Sequence, residues 1–475
     1  MNDVASRLDT SATDDVAALI RRARAAQAAV DQWDQPRVDA LVTAAAWAIV
    51  EPSRNRALAE RAVRDTGLGN VADKIAKNRR KTMGLLRDLQ GVRSAGVIAE
   101  DRERGLIEIA RPVGVVAAIT PSTNPGATPA NNIINALKGR NAIVLAPSPK
   151  GASTLDLLLS YVHEEIARVG APHDLVLALP SPVSREHTRE LMRQADWVVA
   201  TGSQTNVRAA YESGTPALGV GAGNVAVIVD ETASIDDAAA KIAASKTFDN
   251  ATSCSSENSV IAVESIAPEL LQAFEAHGGV LLDADEKLAL ERTMFDNGKL
   301  RPEVIAQSAA DIAARAGIDR VAQARFLIVE ERGVGSAHAF SGEKLSPVLA
   351  LYRADDFETA VARARELLDH QGAGHSIGLH STDDDRATAL GLSLPVCRVI
   401  MNQAHCFATG GSFDNALPFS LSMGCGSWGG NSFSDNLNWR HFVNVTRVVH
   451  PLAADRIREP TEDELFGAYR ARYGA

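Results

Sequence analysis

Short apolar runs that alternate with helix-like stretches constrain this chain more than any other feature. Val113–Ile119, Ala142–Ala146, Leu175–Leu179, Trp197–Ala200 and Val225–Val229 read as strands. The segments between them, Ala130–Lys138, Thr154–Val169, Ser184–Arg193 and Gln204–Ser213, carry helical spacing. Strands that are apolar throughout are buried on both faces, and joining them through helices forces parallel pairing. The expectation is a doubly wound α/β sheet with ligands at the carboxyl ends of its strands. A second alternating block follows residue 254, through Ser259–Val263, Pro268–His277, Arg325–Val329, Val348–Leu351 and Arg398–Asn402, so a second α/β domain is expected. With 475 residues the chain has room for two or three domains.

The flanks read differently. Residues 13–32 form an amphipathic helix, with Val16, Leu19, Ile20, Ala23, Ala26 and Val30 on one face and Thr13 as its cap. Such a helix is either the first packed helix of the fold or a docking tag for a partner or protein shell. Further helices are expected over about Gln35–Val50 and from Pro52 to the Gly67-Leu-Gly69 stop. The stretch from Gly96 to Ala110 reads as a hairpin with a charged turn, and Phe442–Val449 is strand-like. Between about Phe407 and Asn438 lies a Gly/Ser/Asn-rich stretch without periodicity, which in a compact domain is usually functional.

Charge and cysteine usage narrow the function class. The 49 Lys+Arg against 59 Asp+Glu leave a net charge of −10, which argues against a general polyanion binder. The longest apolar runs are far short of the roughly 20 residues that span a bilayer. Met1–Thr10, with Asp3 and Asp9, lacks the basic start and apolar stretch of a secretory leader. Four cysteines without a C-x-x-C pair give neither a disulfide framework nor structural zinc. A cytoplasmic enzyme with one interesting thiol is expected.

That thiol is Cys254, set among small polar residues in the run from Phe248 to Val260, immediately before a strand. Its neighbours suit a thiolate nucleophile stabilised by backbone N–H groups, or equally a small half-buried filler. Cys397 reads as core, whereas Cys406 and Cys425 lie in the Gly-rich region and could line a site. The loop from Ile119 to Pro129 follows a strand and opens a helix, and its Asn124 is either an amide donor or a turn residue before Pro125. Thr201-Gly202-Ser203 sits between strand and helix, where N–H groups can hold a phosphate. The glycines of Gly219–Asn224 precede a strand, so they are not the spaced-glycine dinucleotide fingerprint.

Together the runs 111–151, 200–230, 246–260, 372–379 and 424–436, in this order, resemble the aldehyde dehydrogenase superfamily. More narrowly they are similar to its CoA-acylating branch, which includes succinate-semialdehyde dehydrogenases and the N-terminal half of bifunctional aldehyde-alcohol dehydrogenases. The resemblance implies a cofactor-binding domain over 1–229, a catalytic thiol domain over 230–425, and a return segment over 426–475. It implies a homodimer or homotetramer, with the hairpin near 97–110 and Phe442–Val449 crossing between subunits. Cys254 would be the nucleophile, and Asn124 would join the Cys254 backbone N–H in an oxyanion hole. Thr120, Pro121, Ser148, Gly202, Ser203 and Gly221 would line the NAD or NADP site, with Glu343 on the nicotinamide ribose. CoA would be the co-substrate. Hydrolytic members carry a glutamate base 34 residues before the cysteine; here that position is Val220. Their ribose-loop Lys and Glu are also missing from Leu145–Pro149, so the usual clue to NAD against NADP is absent. His375 aligns with a histidine near the thiol, as a proton acceptor for CoA or as a structural residue. The sequence around Trp428 and 435–441 is similar to acylating sulfoacetaldehyde dehydrogenases, which implies that substrate. Arg398, His405 and Ser412 are then candidates for holding a sulfonate. They would serve a carboxylate equally, and succinate semialdehyde, short-chain aldehydes or a non-catalytic scaffold remain alternatives.

Overall fold

The computed structural model describes residues 2–474, with side chains from Ala12 onward. Four helices open the chain: α1 (Asn2–Val30), α2 (Gln35–Val50), α3 (Pro52–Thr66) and α4 (Val71–Leu89). Their ends follow local chemistry. Asp34 caps α2 by accepting from the Arg37 N–H, Asn70 caps α4 through the Asp73 N–H, and Gly67 ends α3 in the left-handed conformation at φ 69°. Because α1 begins at Asn2, Thr13 lies inside the helix and is not its cap. Val16, Ile20, Ala23, Ala26 and Val30 are buried in the core of the first sheet, so this stretch is a packed helix. The leader reading of Met1–Thr10 rests on side chains outside the described residues. α4 has no counterpart in the apolar spacing, since its buried face includes Lys74, Lys77 and Lys81.

The first sheet has five parallel strands in the order Val176–Ala178, Ala142–Pro147, Val115–Thr120, Trp197–Ala200, Ala217–Gly219. Val115–Thr120 is central, and the chain leaves it to one side before returning to the other. The crevice of such a switch opens beyond Thr120, between the loops at 121–126 and 201–203.

The second sheet has seven parallel strands, with Glu257–Val263 and Val225–Val229 adjacent near its middle. Val225–Val229 also pairs with Ile377–His380, so it belongs to this sheet, and a boundary at 229 falls on the wrong side of it. The crossing between sheets is the glycine-rich Gly219–Asn224. It delivers the amino ends of two second-sheet strands to the carboxyl edge of the first sheet.

A third sheet is antiparallel: Gly96–Asp101, Leu106–Pro112 and Val443–Val449. The expected hairpin is there. Val443–Val449 pairs with the hairpin of its own chain, Val445 opposite Ala110. Among the described residues no helix is long and apolar enough to cross a membrane, and no cluster of His, Cys, Asp and Glu could hold a metal ion.

Candidate active site

The loop that carries Cys254 is built from an unusual backbone. Asp249, Asn250 and Ala251 all take positive φ, at 50°, 51° and 57°. Left-handed conformation costs a non-glycine residue roughly 1–2 kcal/mol, so the run persists only because it is clamped. Asp249 is the clamp. Its Oδ1 accepts from the Asn70 N–H at 3.0 Å, and its Oδ2 accepts from Lys74 Nζ at 3.1 Å, Lys77 Nζ at 2.5 Å and Thr252 Oγ1 at 2.8 Å. Burial alone would raise the Asp249 pKa, but the two ammonium groups outweigh it and hold the carboxyl below its ordinary value.

Lys77 does a second thing. Its Nζ donates to Asn124 Oδ1 at 2.9 Å, which fixes that amide and leaves its N–H donors for the cavity that Asn124 lines. One ammonium therefore ties the cysteine loop to the amide. This cavity, of about 540 Å3, lies between the carboxyl edge of the first sheet and the amino edge of the second. Cys254, Asn124, Thr120, Pro121, Ser148, Gly202, Ser203, Gly221 and Glu343 all line it. The glycine crossing makes this approach possible: a Cβ on Gly223 would sit 2.2 Å from the Cys254 carbonyl oxygen, and one on Gly221 2.9 Å from Cys425 Sγ.

The electrostatics of the free site keep the thiol protonated. Burial first, then the Glu343 carboxyl, pushes Cys254 up to about 12, while its own backbone N–H and Arg398 pull the other way. Glu343 is itself pushed up to about 8 by burial against the pull of Lys246 and Lys344. Its Oε1 and the Ser148 Oγ make no hydrogen bond among the described residues. Two unsatisfied oxygens on the cavity wall suit the hydroxyls of a nucleotide. The Gly202–Ser203 turn opens the helix Gln204–Glu212, whose first N–H groups suit a pyrophosphate.

Four expected site residues stand elsewhere, outside the lining of this cavity. Arg398 spends its guanidinium on Asn436 Oδ1 and on the carbonyls of His375, Gly424 and Ser434, so it staples the Gly-rich segment. His375 and His405 are buried and linked through Ser376 Oγ, at 2.7 Å and 2.9 Å. Burial, then Arg398, pulls His375 down to about 3, which suits a neutral structural ring better than a proton acceptor for a thiol. Ser412 accepts from Arg80 at 2.5 Å. The residues missed by the sequence reading, Lys77, Lys81 and Asp249, had a signal available: lysines at 74, 77 and 81 share one helical face.

The aldehyde dehydrogenase family profile matches residues 2–281 of this chain. The chain belongs to the aldehyde dehydrogenase family. It is 62% identical over 466 residues to the sulfoacetaldehyde dehydrogenase (acylating) of Cupriavidus necator, covering 98% of this chain and 94% of that one. Among solved structures it resembles an acetylating aldehyde dehydrogenase from Geobacillus thermoglucosidasius, with 36% identity, coverage of 96% and 99%, and a TM-score of 0.90. A Rhodopseudomonas palustris propionaldehyde dehydrogenase with bound propionyl-CoA matches at 26% identity, coverage of 92% and 94%, and a TM-score of 0.83. Both structures share the two-sheet α/β architecture described above.

Proposed function

We propose that this aldehyde dehydrogenase is CoA-acylating and acts on sulfoacetaldehyde, turning aldehyde, CoA and NAD(P)+ into acyl-CoA and NAD(P)H. The observation that carries the acylating reading is Val220. It lines the cavity where hydrolytic members hold a glutamate base, and Glu343 is the one carboxylate in the described lining. The identity of 62% to the sulfoacetaldehyde dehydrogenase (acylating) of Cupriavidus necator supports the substrate.

The chemistry then follows from the geometry. Glu343 Oε1 and Cys254 Cβ lie 2.8 Å and 2.9 Å from the position a Cβ on Gly223 would take, so the carboxyl stands beside the cysteine, whose thiol must shed its proton before it reacts. The thiolate adds to the aldehyde carbon, and the Asn124 amide with the Cys254 N–H stabilises the oxyanion. One such donor is worth about 10²–10³ in kcat. Gly202, Ser203 and Glu343 would hold a nicotinamide dinucleotide, which when bound would supply the hydride acceptor. Cys254 is left as an acyl thioester, and Val220 offers water no general base, help that is typically worth about 10²–10⁴. The CoA thiol takes the acyl group and Cys254 leaves as thiolate.

Assembly and location complete the reading. The third sheet and the helix Glu462–Tyr473 expose Val97, Val449, Leu465, Phe466 and Tyr469, a surface suited to a second copy of this chain. Four free cysteines suit the reducing cytoplasm.

The test is cofactor reduction with sulfoacetaldehyde, succinate semialdehyde, acetaldehyde and propionaldehyde, each with and without CoA. The expected result is a strict CoA requirement, acyl-CoA as product, and the highest kcat/KM for sulfoacetaldehyde. Free acid formed without CoA overturns the acylating reading, and a better uncharged aldehyde overturns the substrate.

A further inference from the structure

One charged side chain in the cavity is unused by the mechanism. Lys81 is the single cation in the described lining and comes from the same face of α4 as Lys77, one turn further along. Its Nζ donates to the Gly410 carbonyl at 2.7 Å, with the Gly411 carbonyl at 3.5 Å, and lies 5.5 Å from the Phe419 ring centre. Lys74 and Lys77 share Asp249, and Lys138 has Asp39 at 2.6 Å. Lys81 has no carboxylate at ion-pair distance among the described residues.

Burying a cation without a counter-ion is costly. Burial, then the neighbouring Arg80, pulls Lys81 down to about 7, while the Cys406 and Cys254 thiols are close enough to oppose that shift. An ammonium has three donors, and two carbonyls leave one over. Gly410 keeps the approach clear, because a Cβ there would sit 2.7 Å from Nζ. A bound anion would supply the missing counter-charge through a charge-assisted hydrogen bond.

We infer that Lys81 binds the sulfonate of the substrate and thereby selects aldehydes that carry an anion on the carbon next to the carbonyl. This rests on the sulfoacetaldehyde reading. It replaces Arg398, His405 and Ser412 with a residue that lines the cavity holding Cys254. Lys81 acts on binding and orientation, with no part in proton transfer.

The experiment compares the intact wild-type enzyme with Lys81→Met, which keeps an unbranched apolar stem of similar reach. With CoA and cofactor saturating, kcat/KM for sulfoacetaldehyde should fall roughly 10–100-fold, mostly through KM, as expected for losing a hydrogen bond to a charged group. Propionaldehyde should be turned over as before. An equal loss on both aldehydes, or on neither, overturns the assignment while leaving the proposed activity standing. A wild-type enzyme that acylates propionaldehyde but ignores sulfoacetaldehyde overturns the substrate and this assignment together. If Lys81→Met melts early, the wild-type enzyme decides. Ethanesulfonate should slow acetylation of Lys81 by acetic anhydride, followed by mass spectrometry, and ethanol at the same concentration should not. Unchanged Lys81 labelling in ethanesulfonate sinks the inference.

Discussion

Cys254 lies between two buried polar regions that deal with charge in opposite ways. Around Asp249, beside α4, charge survives: Lys74 and Lys77 converge on it at 3.1 Å and 2.5 Å, and that carboxylate stays ionised. On the second-sheet side charge is suppressed. Burial pulls His375 to about 3, His380 to about 4 and His405 well below the usual range. It lifts Glu257 to about 7 and lowers Lys246 to about 7, and neither Lys246 Nζ nor Glu257 Oε2 has a hydrogen-bond partner among the described residues. Both regions are dry, so dryness is not what separates them. The difference is a counter-ion within hydrogen-bond reach, and it decides the work each side does. The charged side shapes the cysteine loop and aims the oxyanion donor. The other side surrounds the second-sheet strands with histidines held neutral.

The sharpest way to break this contrast is Lys77→Met. It removes the tie between Asp249 and Asn124 and leaves a buried carboxylate short of one partner. Stability should fall by about 3–5 kcal/mol, read from urea midpoints. Well below the melting temperature, kcat/KM should still fall about 10²–10³-fold, because the oxyanion amide loses its orientation. Normal turnover in a destabilised variant would reduce Lys77 to a purely structural role.

Acid probes the neutral side. His375, His380 and His405 have folded pKa values depressed from an unfolded value near 6.5. Below about pH 6.5 the unfolded chain takes up protons that the folded chain refuses, at up to about 1.4 kcal/mol per pH unit for each histidine. Their stability is therefore complete above that pH and is lost as the pH falls toward their folded values. Glu257, raised to about 7, and Glu343, raised to about 8, oppose them with one proton each between their unfolded and folded values. Three against two still leaves a net loss, so the melting temperature should drop between about pH 6.5 and 4.5. A flat profile would mean that these rings are not buried neutral.

The smallest effect is expected from Glu257→Gln. Its carboxyl accepts from the His405 N–H at 3.2 Å, and an amide oxygen can do the same. Replacing a carboxyl already raised toward neutrality should change stability by less than about 1 kcal/mol, within the worth of one ordinary hydrogen bond. The matching Asp249→Asn, on the charged side, should cost several times more.

The sheets were legible because burial on both faces writes itself as continuous apolar runs. Trp197–Ala200 and Val225–Val229 needed nothing else. Which sheet Val225–Val229 joins was not legible, since parallel pairing depends on partners far along the chain, at 257–263 and 377–380. α4 was hidden for a related reason. Its core face is partly lysine, and those lysines are acceptable there only because Asp249 and the Gly410 carbonyl arrive from about 175 and 329 residues away. The motifs around Cys254, Asn124 and Glu343 are local and could be read. Arg398, His405 and Ser412 are near the motifs in sequence, but their hydrogen bonds point them into the fold.

The glycine crossing between the two sheets bears on how such enzymes can be recombined. A designer wishing to graft one cofactor half onto another catalytic half would cut at the shortest link, Gly219–Asn224. Here that link is itself the floor under the nucleophile, with no space for even a methyl group at Gly223. The two halves share a tile at the seam, so a crossover placed there carries mismatches straight to the reacting sulfur. Chimeras joined within the outer helices, away from this tile, would inherit a matched pair of edges.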